Sequence, residues 1–243
     1  MGDGFVAPKL GNMKAVLGIL AGAGASYGLY KLVRGIGGNA EKKNRTKKVE
    51  RSEDILTKSP GCLEPRHIGM LLSLLQSSPN ASERSQVLIT LGNSAAFTVN
   101  QDLIREFGGL YVIAGFLTDT SADVRLQTLN ALNNLSMNIR NQEQLKVYIP
   151  QVLELIEISP VNSELQLAAL RLLTNMSVTD KHQHLMRNSV TLFLSLLVVS
   201  NEALQVFLQV LKVLVNMSSN PDMIEEIVQA QVKLYLKNGL MYG

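Results

Sequence analysis

The sequence predicts an all-α chain: a solenoid of stacked helical repeats, preceded by a single N-terminal membrane-anchor helix and a basic linker. Three observations lead there. The first is a ten-residue phrase that returns in phase: QVLITLGNSA from Gln86, QTLNALNNLS from Gln127, AALRLLTNMS from Ala168 and QVLKVLVNMS from Gln209. Its asparagines, Asn93, Asn134, Asn175 and Asn216, fall 41 residues apart without slippage. A fixed period of roughly 40 residues with constant apolar columns marks helical units that bury their stripes against their neighbours. The second is Ala15–Tyr30, 16 residues without a charge between Lys14 and Lys31. The third is an uneven charge: residues 1–51 carry net +7 and residues 52–243 net −4, within an overall +3.

The chain divides into a short segment 1–14, an anchor at 15–33, a basic linker at 34–62 and a repeat domain at 63–243. As a helix the uncharged run spans about 24 Å at ~1.5 Å per residue. That falls short of a hydrocarbon core of about 30 Å. Snorkelling lysines and Leu32-Val33 make up the difference. The lipid-facing set is Val16, Leu17, Ile19, Leu20, Gly22 and Leu29, with Tyr27 and Tyr30 at an interface. Small residues four apart, Gly18/Gly22 and Gly24/Gly28, allow two such helices to approach closely.

Three rival readings of this end are weaker. Ala23-Gly24-Ala25 resembles a signal-peptidase site, but the apolar run continues past it and the basic charge gathers on the wrong side. Gly22-x-Gly24 imitates a dinucleotide loop, but Tyr27 stands where its third glycine belongs. Met1-Gly2 invites myristoylation, but Val6 stands where Ser or Thr is required. Residues 31–51 carry net +6, so the flank after the span stays cytosolic and the repeats face the cytosol. The same basic run suits anionic headgroups or a solvated linker. A short Gly/Ala-rich span with a basic C-terminal flank looks like a mitochondrial outer-membrane signal anchor, with the endoplasmic reticulum as the alternative membrane.

Gly35–Gly61 reads as linker, stopped by Ser59-Pro60-Gly61. A helix begins after Pro65 and runs through Leu75, the tail of an incomplete first repeat that caps the stack. Each full repeat then reads as three helices. The long ones cover about 83–97, 124–137, 164–178 and 205–218. Short ones follow at 101–107, 142–149, 181–188 and 222–229, and third ones at 110–118, 151–158, 190–199 and 231–237. Breaks fall at Asp119-Thr120-Ser121, Ser159–Ser163, Ser200-Asn201 and Asn220-Pro221-Asp222. Pro150 sits where a helix starts and its missing N–H costs little.

Within each phrase, leucines lie five and two residues before the Asn: Leu88, Leu129, Leu170, Leu211 and Leu91, Leu132, Leu173, Leu214. Residues three apart share a helix face, so both columns point inward. The Asn column is nearly free of that demand. Stacked helices bring its amides to about 10 Å spacing, a ladder able to bond the backbone of an extended segment. The competing role for each Asn is a local bond that holds a helix end.

Chemistry-bearing clusters are scarce. His67, His182 and His184 are the only histidines, and the last two are two residues apart, off the helical spacing a metal needs. Cys62 is the only cysteine, which rules out an internal disulfide and fits a reducing compartment. It has His67 five residues on but no orienting acid. No GxSxG, P-loop or HExxH occurs. The expectation is a protein without catalysis, cofactor, metal or nucleic-acid partner. The sequons at Asn134, Asn175 and Asn216 belong to the repeat pattern.

Three helices in about 41 residues is the armadillo arrangement, where two would be HEAT. The phrases LITLGNSAAFTVNQDLIREFGGL (Leu88–Leu110), LNALNNLSMNIRNQ (Leu129–Gln142) and LLTNMSVTDKHQH (Leu172–His184) resemble the armadillo proteins related to the X-linked armadillo group of the mitochondrial outer membrane. The resemblance covers nearly the whole chain. It implies a right-handed armadillo-repeat solenoid whose long helices line a partner groove. It also implies a membrane-anchored, cytosol-facing scaffold acting on mitochondrial distribution through Miro-type GTPases and kinesin adaptors. A soluble, nuclear or endoplasmic-reticulum peptide-binding regulator is the alternative.

Two departures matter. Peptide-binding armadillo proteins such as the importins carry Trp four residues before the groove Asn. Here Ile89, Asn130, Arg171 and Lys212 occupy that column and the chain has no Trp. Nuclear-signal recognition is therefore disfavoured, and Arg171 and Lys212 favour an acidic or phosphorylated ligand unless they are simply solvated charges. The expected groove set is Asn93, Asn130, Asn134, Arg171, Asn175, Lys212 and Asn216. The second departure is length, since family members usually run on through further repeats. A face of Val228, Val232, Leu234 and Leu236 would then be exposed, a candidate homodimer contact alongside the anchor.

Overall fold

A computed structural model describes residues 52–200 and 202–239. The predicted anchor, Val16, Leu17, Ile19, Leu20, Gly22, Tyr27, Leu29 and Tyr30, lies outside the described residues, as does most of the basic linker. Among the described residues no helix is long and apolar enough to cross a membrane.

The described chain is helical throughout, in the predicted order. A leading group comprises α1 (Ser52–Leu56), a 3₁₀ turn at Pro60–Cys62 and α2 (Pro65–Ser77). The first repeat is α3 (Ala81–Ser94), α4 (Thr98–Glu106) and α5 (Gly109–Ala114), the last continued by a 3₁₀ turn to Thr118. The second is α6 (Ala122–Leu135), α7 (Ile139–Leu145) and α8 (Ile149–Ile158). The third is α9 (Glu164–Met176), α10 (Asp180–Gln183) with a 3₁₀ run to Ser189, and α11 (Val190–Val199). The fourth is α12 (Leu204–Ser218) and α13 (Pro221–Gly239).

Local chemistry sets these boundaries. The side chains of Asn80, Ser121 and Ser163 accept from Ser82, Val124 and Gln166 N–H groups at 2.9, 3.4 and 3.2 Å, capping α3, α6 and α9. Such caps satisfy donors that a helix start leaves open. Gly108, at φ 71°, makes the turn between α4 and α5 in a conformation that side chains with a Cβ resist. Pro150 lies in the first turn of α8, as its position requires.

Packing follows the columns. α3 packs on α6, α6 on α9 and α9 on α12, so the long helices form one continuous layer. Leu88, Leu129, Leu170, Leu91 and Leu173 are fully buried, and Leu132 and Leu214 nearly so. The third column, Leu135, Met176 and Met217, is also buried. Leu211 breaks the pattern at 40% exposed, because the described residues place no repeat beyond it.

Two expectations change. The linker does not extend to residue 62: α1 and the 3₁₀ turn form there, and Ile55 is buried in the core with Leu63 and Ile68. Apolar burial outweighed the Ser/Pro/Gly signal that read as loop. In the fourth repeat the helices expected at 222–229 and 231–237 are fused into α13. Ala230, Gln231 and Val232 supply neither the glycine of the first repeat, the Asn188-Ser189 pair of the third, nor the proline of the second.

Candidate functional site

The four asparagines stand at the C-terminal ends of α3, α6, α9 and α12, one per repeat. A helix end leaves its last carbonyls without intrahelical partners. Here those carbonyls face the next repeat, and the next Asn fills them. Asn134 Nδ2 donates to the Gly92 carbonyl at 2.9 Å. Asn175 Nδ2 donates to the Asn133 carbonyl at 3.1 Å and to Ser136 Oγ at 3.0 Å. Asn216 Nδ2 donates to the Thr174 carbonyl at 3.2 Å and to Ser177 Oγ at 2.9 Å. Each bond reaches back one repeat to the same position. Ala95 stands where Ser136 and Ser177 would predict a hydroxyl, so Asn134 lacks the second bond.

The ladder is therefore not free in the way the columns alone suggest. Its amide nitrogens join repeats, and this bond is neither local nor offered outward. The Oδ1 atoms of Asn175 and Asn216 accept from no donor among the described residues, while Asn134 Oδ1 takes a long bond from Asn133 Nδ2 at 3.4 Å. Asn93 is exposed, and its side chain has no hydrogen-bond partner among the described residues. The three inner amides are half-buried. They share one direction along the stack, and they are not sunk among the leucines.

A second ladder went unread in the sequence. Gln101, Gln142 and Gln183 also lie 41 apart. Their Nε2 atoms donate backward within the repeat, to the carbonyls of Ala95, Ser136 and Ser177 at 2.7–2.8 Å. They also donate forward, to the Asn134, Asn175 and Asn216 carbonyls at 3.1–3.2 Å. Asn100 and Asn141 add bonds to the carbonyls of Ser94 and Leu135, both at 3.0 Å. The period was the signal that could have found them. They escape attention because they lie in the short helices, outside the repeated phrase.

The four-before-Asn column is less uniform. Asn130 donates to Gln127 Oε1 at 3.4 Å. Arg171 is half-buried and its Nη2 donates to Gln205 Oε1 at 3.3 Å, from α9 to α12. Lys212 is exposed on α12. Asn93, Asn130, Asn134 and Arg171 converge on a recess of about 340 Å³, together with Ile89 and Asn133. Its floor is Gly92 and Ala131. A Cβ at Gly92 would stand 3.2 Å from the Ala131 Cα, so these small residues let α3 and α6 approach closely and leave the recess above them. Asn175, Lys212 and Asn216 do not line it; they continue the same face further along the stack.

Charged groups cluster on the short helices, away from this recess. Arg105 Nη1 donates to Asp102 at 2.7 Å and to Asn141 at 2.9 Å, while Asn138 donates to Asp102 at 3.0 Å. The Arg105 hydrogen bond holds the Asp102 carboxyl below its ordinary pKa. Lys146, and after it His182, does the same for Glu143. His182 is buried with its Nε2 3.3 Å from Glu143 across a repeat junction, whereas His184 is exposed. Among the described residues no three His, Cys, Asp or Glu side chains are grouped to hold a metal.

Residues 63–238 match the family model described as Armadillo-like. The chain belongs to this family. Solved armadillo structures share the architecture. A designed armadillo repeat protein, YIII(Dq)4CqI, is 15% identical with a TM-score of 0.66, covering 80% of this chain and 87% of that one. Another, YIII(Dq.V1)4CPAF, solved in complex with the peptide (KR)4, is 16% identical with a TM-score of 0.63, covering 71% and 74%. Computationally designed armadillo proteins for modular peptide recognition give 17% identity and a TM-score of 0.65, covering 77% and 81%. At such identities these neighbours establish the fold. The armadillo solenoid is a scaffold fold, and the description of the matching family names no catalytic activity. In this armadillo chain the groove column that carries Trp in importins holds an aliphatic, an amide and two cations.

Proposed function

We propose that this armadillo chain is a protein-binding scaffold that holds an extended segment of a partner along the face of α3, α6, α9 and α12. The observation that carries the proposal is the recess bounded by Asn93, Asn130, Asn134 and Arg171, continued by the open Oδ1 acceptors of Asn175 and Asn216. The amides present acceptors, so they recognise backbone N–H groups of the ligand. Arg171 and Lys212 lie one repeat apart, about 10 Å. That distance matches acidic or phosphorylated side chains about three residues apart in an extended ligand, at ~3.3 Å per residue.

The wider setting rests on the N-terminal pattern and on the resemblance. The uncharged run Ala15–Tyr30 anchors the chain in the mitochondrial outer membrane, and the net +6 that follows it keeps the repeats in the cytosol. Miro-type GTPases and kinesin adaptors are the partners, and mitochondrial distribution is the process affected. Deleting residues 1–34 should release the protein from membranes; retention would sink the anchor.

The groove is tested without touching the asparagine and glutamine ladders. Arg171→Glu with Lys212→Glu changes two charges outside the buried core and removes one exposed bond, Arg171 to Gln205, so the melting temperature should fall only slightly. Capture of an acidic or phosphorylated partner peptide should fall at least about tenfold, the loss of one strong charge-assisted contact. Unchanged capture would place binding on another face.

A further inference from the structure

The turn between the third helix of one repeat and the long helix of the next changes along the stack. In the first repeat it is sealed. Leu117 is fully buried. Arg84 pairs with Asp119 at 3.0 Å, both side chains largely buried. Arg125 Nη1 donates to the Asp119 and Thr120 carbonyls at 2.6 and 3.2 Å. The next two turns are open. Ile158 and Val199 hold the position of Leu117 at the same period of 41, and they are 69% and 55% exposed. Val161 and Val198 beside them are also more than half exposed. A further repeat follows each turn: α9 packs on α8, and α12 and α13 pack on α11.

Single exposed aliphatics need no explanation. These four are grouped, and they are rimmed by one sign of charge. Glu154, Glu157, Glu164 and Glu202 are exposed, and none has an ion-pair partner among the described residues. Residues 149–170 and 188–211 hold these four acids and no Lys or Arg.

We propose that this edge docks a basic amphipathic helix of a partner protein. Ile158 and Val199 stand one repeat apart, about 10 Å. Residues i and i+7 of a helix share a face and lie about 10.5 Å apart, so two aliphatic side chains of one ligand helix reach both. Lysines or arginines flanking that stripe meet the four carboxylates, which have no internal cation to satisfy them. The same charge disfavours other occupants. Four carboxylates repel an anionic lipid surface, and a second copy of the chain would set its own four against them. The edge lies at the start of α9 and the groove asparagine at its end, about 20 Å apart along 13 residues. The two surfaces are therefore independent.

The test uses the full chain in phosphatidylcholine nanodiscs, with empty discs as the blank. The probe is a fluorescent alanine–lysine helix with two leucines seven residues apart. Ile158→Ser with Val199→Ser, both exposed positions, should keep the helical melt and weaken binding at least about tenfold by anisotropy. Changing Glu154, Glu157, Glu164 and Glu202 together to Gln should weaken it similarly and flatten its salt dependence. Arg171→Glu with Lys212→Glu should not weaken it. The same helix with glutamate for lysine, or with its leucines five residues apart, should not bind. The proposal fails if wild type binds the probe no better than empty discs, or if the serine pair binds it as tightly as wild type. Loss of binding in Arg171→Glu with Lys212→Glu would give the peptide to the groove instead. Self-association of the chain, or its flotation with phosphatidylserine vesicles, would also overturn the proposal if the serine pair abolished it, since the edge would then belong to a second copy or to a membrane.

Discussion

The third and fourth repeats start from nearly the same phrase, AALRLLTNMS and QVLKVLVNMS, yet their long helices meet different fates. α9 is flanked on both sides and buries Leu170 completely; among the described residues α12 is flanked on one side, and Leu211 is 40% exposed. A residue in a solenoid is core or surface according to whether a neighbour arrives, and its own type does not decide it. The polar ladders say the same. Asn175 and Asn216 have a preceding repeat and staple it, whereas Asn93 has no preceding asparagine repeat and stands exposed.

The largest expected contrast lies in the leucine column. Leu170→Ala should cost about 2–5 kcal/mol, the range for a fully buried leucine. Leu211→Ala should cost under about 1 kcal/mol, as surface positions do. Urea unfolding of the two variants measures this, and equal losses would mean that the face of Leu211 is covered in solution.

The asparagine ladder gives the next contrast. Asn175→Ala removes the bonds to Asn133 and Ser136 and strands a helix-end carbonyl, for about 1–3 kcal/mol. Asn93→Ala, which has no bond to lose, should change the midpoint little. Gln142→Leu should fall in between at about 1–2 kcal/mol, since its amide bridges Ser136 and Asn175.

The smallest effect is electrostatic and sharpens the comparison between the first junction and the last. Asp102 is held below its ordinary pKa by Arg105 and by Asn138 across the junction. A carboxyl depressed in the folded state stabilises above its unfolded pKa of about 3.9, and that contribution is lost as pH falls through the folded value. The side chain is 40% exposed, so the effect should stay under about 1 kcal/mol. Asp102→Asn should therefore flatten the acid side of the stability profile below about pH 4. An unchanged acid limb would remove Asp102 from the junction.

Much of the fold was legible because repetition makes a weak signal strong. The Asp119–Ser121 and Ser159–Ser163 breaks, the α2 helix after Pro65 and both leucine columns follow from turn chemistry and helical spacing. The candidate site was legible only as a column. That Asn134, Asn175 and Asn216 face outward from the leucines was implied by their spacing. That their nitrogens point back along the stack was not, because no local rule says where the carbonyl of a neighbouring repeat lies. Gln101, Gln142 and Gln183 carried the same period and were missed because their partners are backbone atoms 33 residues away.

The sequence by itself determined the unit: its length, its helices, its buried leucines and the stopping points set by Ser, Asn, Gly and Pro. These depend on spacing along one helix and on backbone chemistry within a few residues. Only the tertiary structure decided the junctions: which amide meets which carbonyl, how closely Gly92 and Ala131 approach, that Ile55 joins the core, and that Leu211 does not. Those outcomes depend on one repeat arriving beside another, and sequence spacing does not encode that arrival.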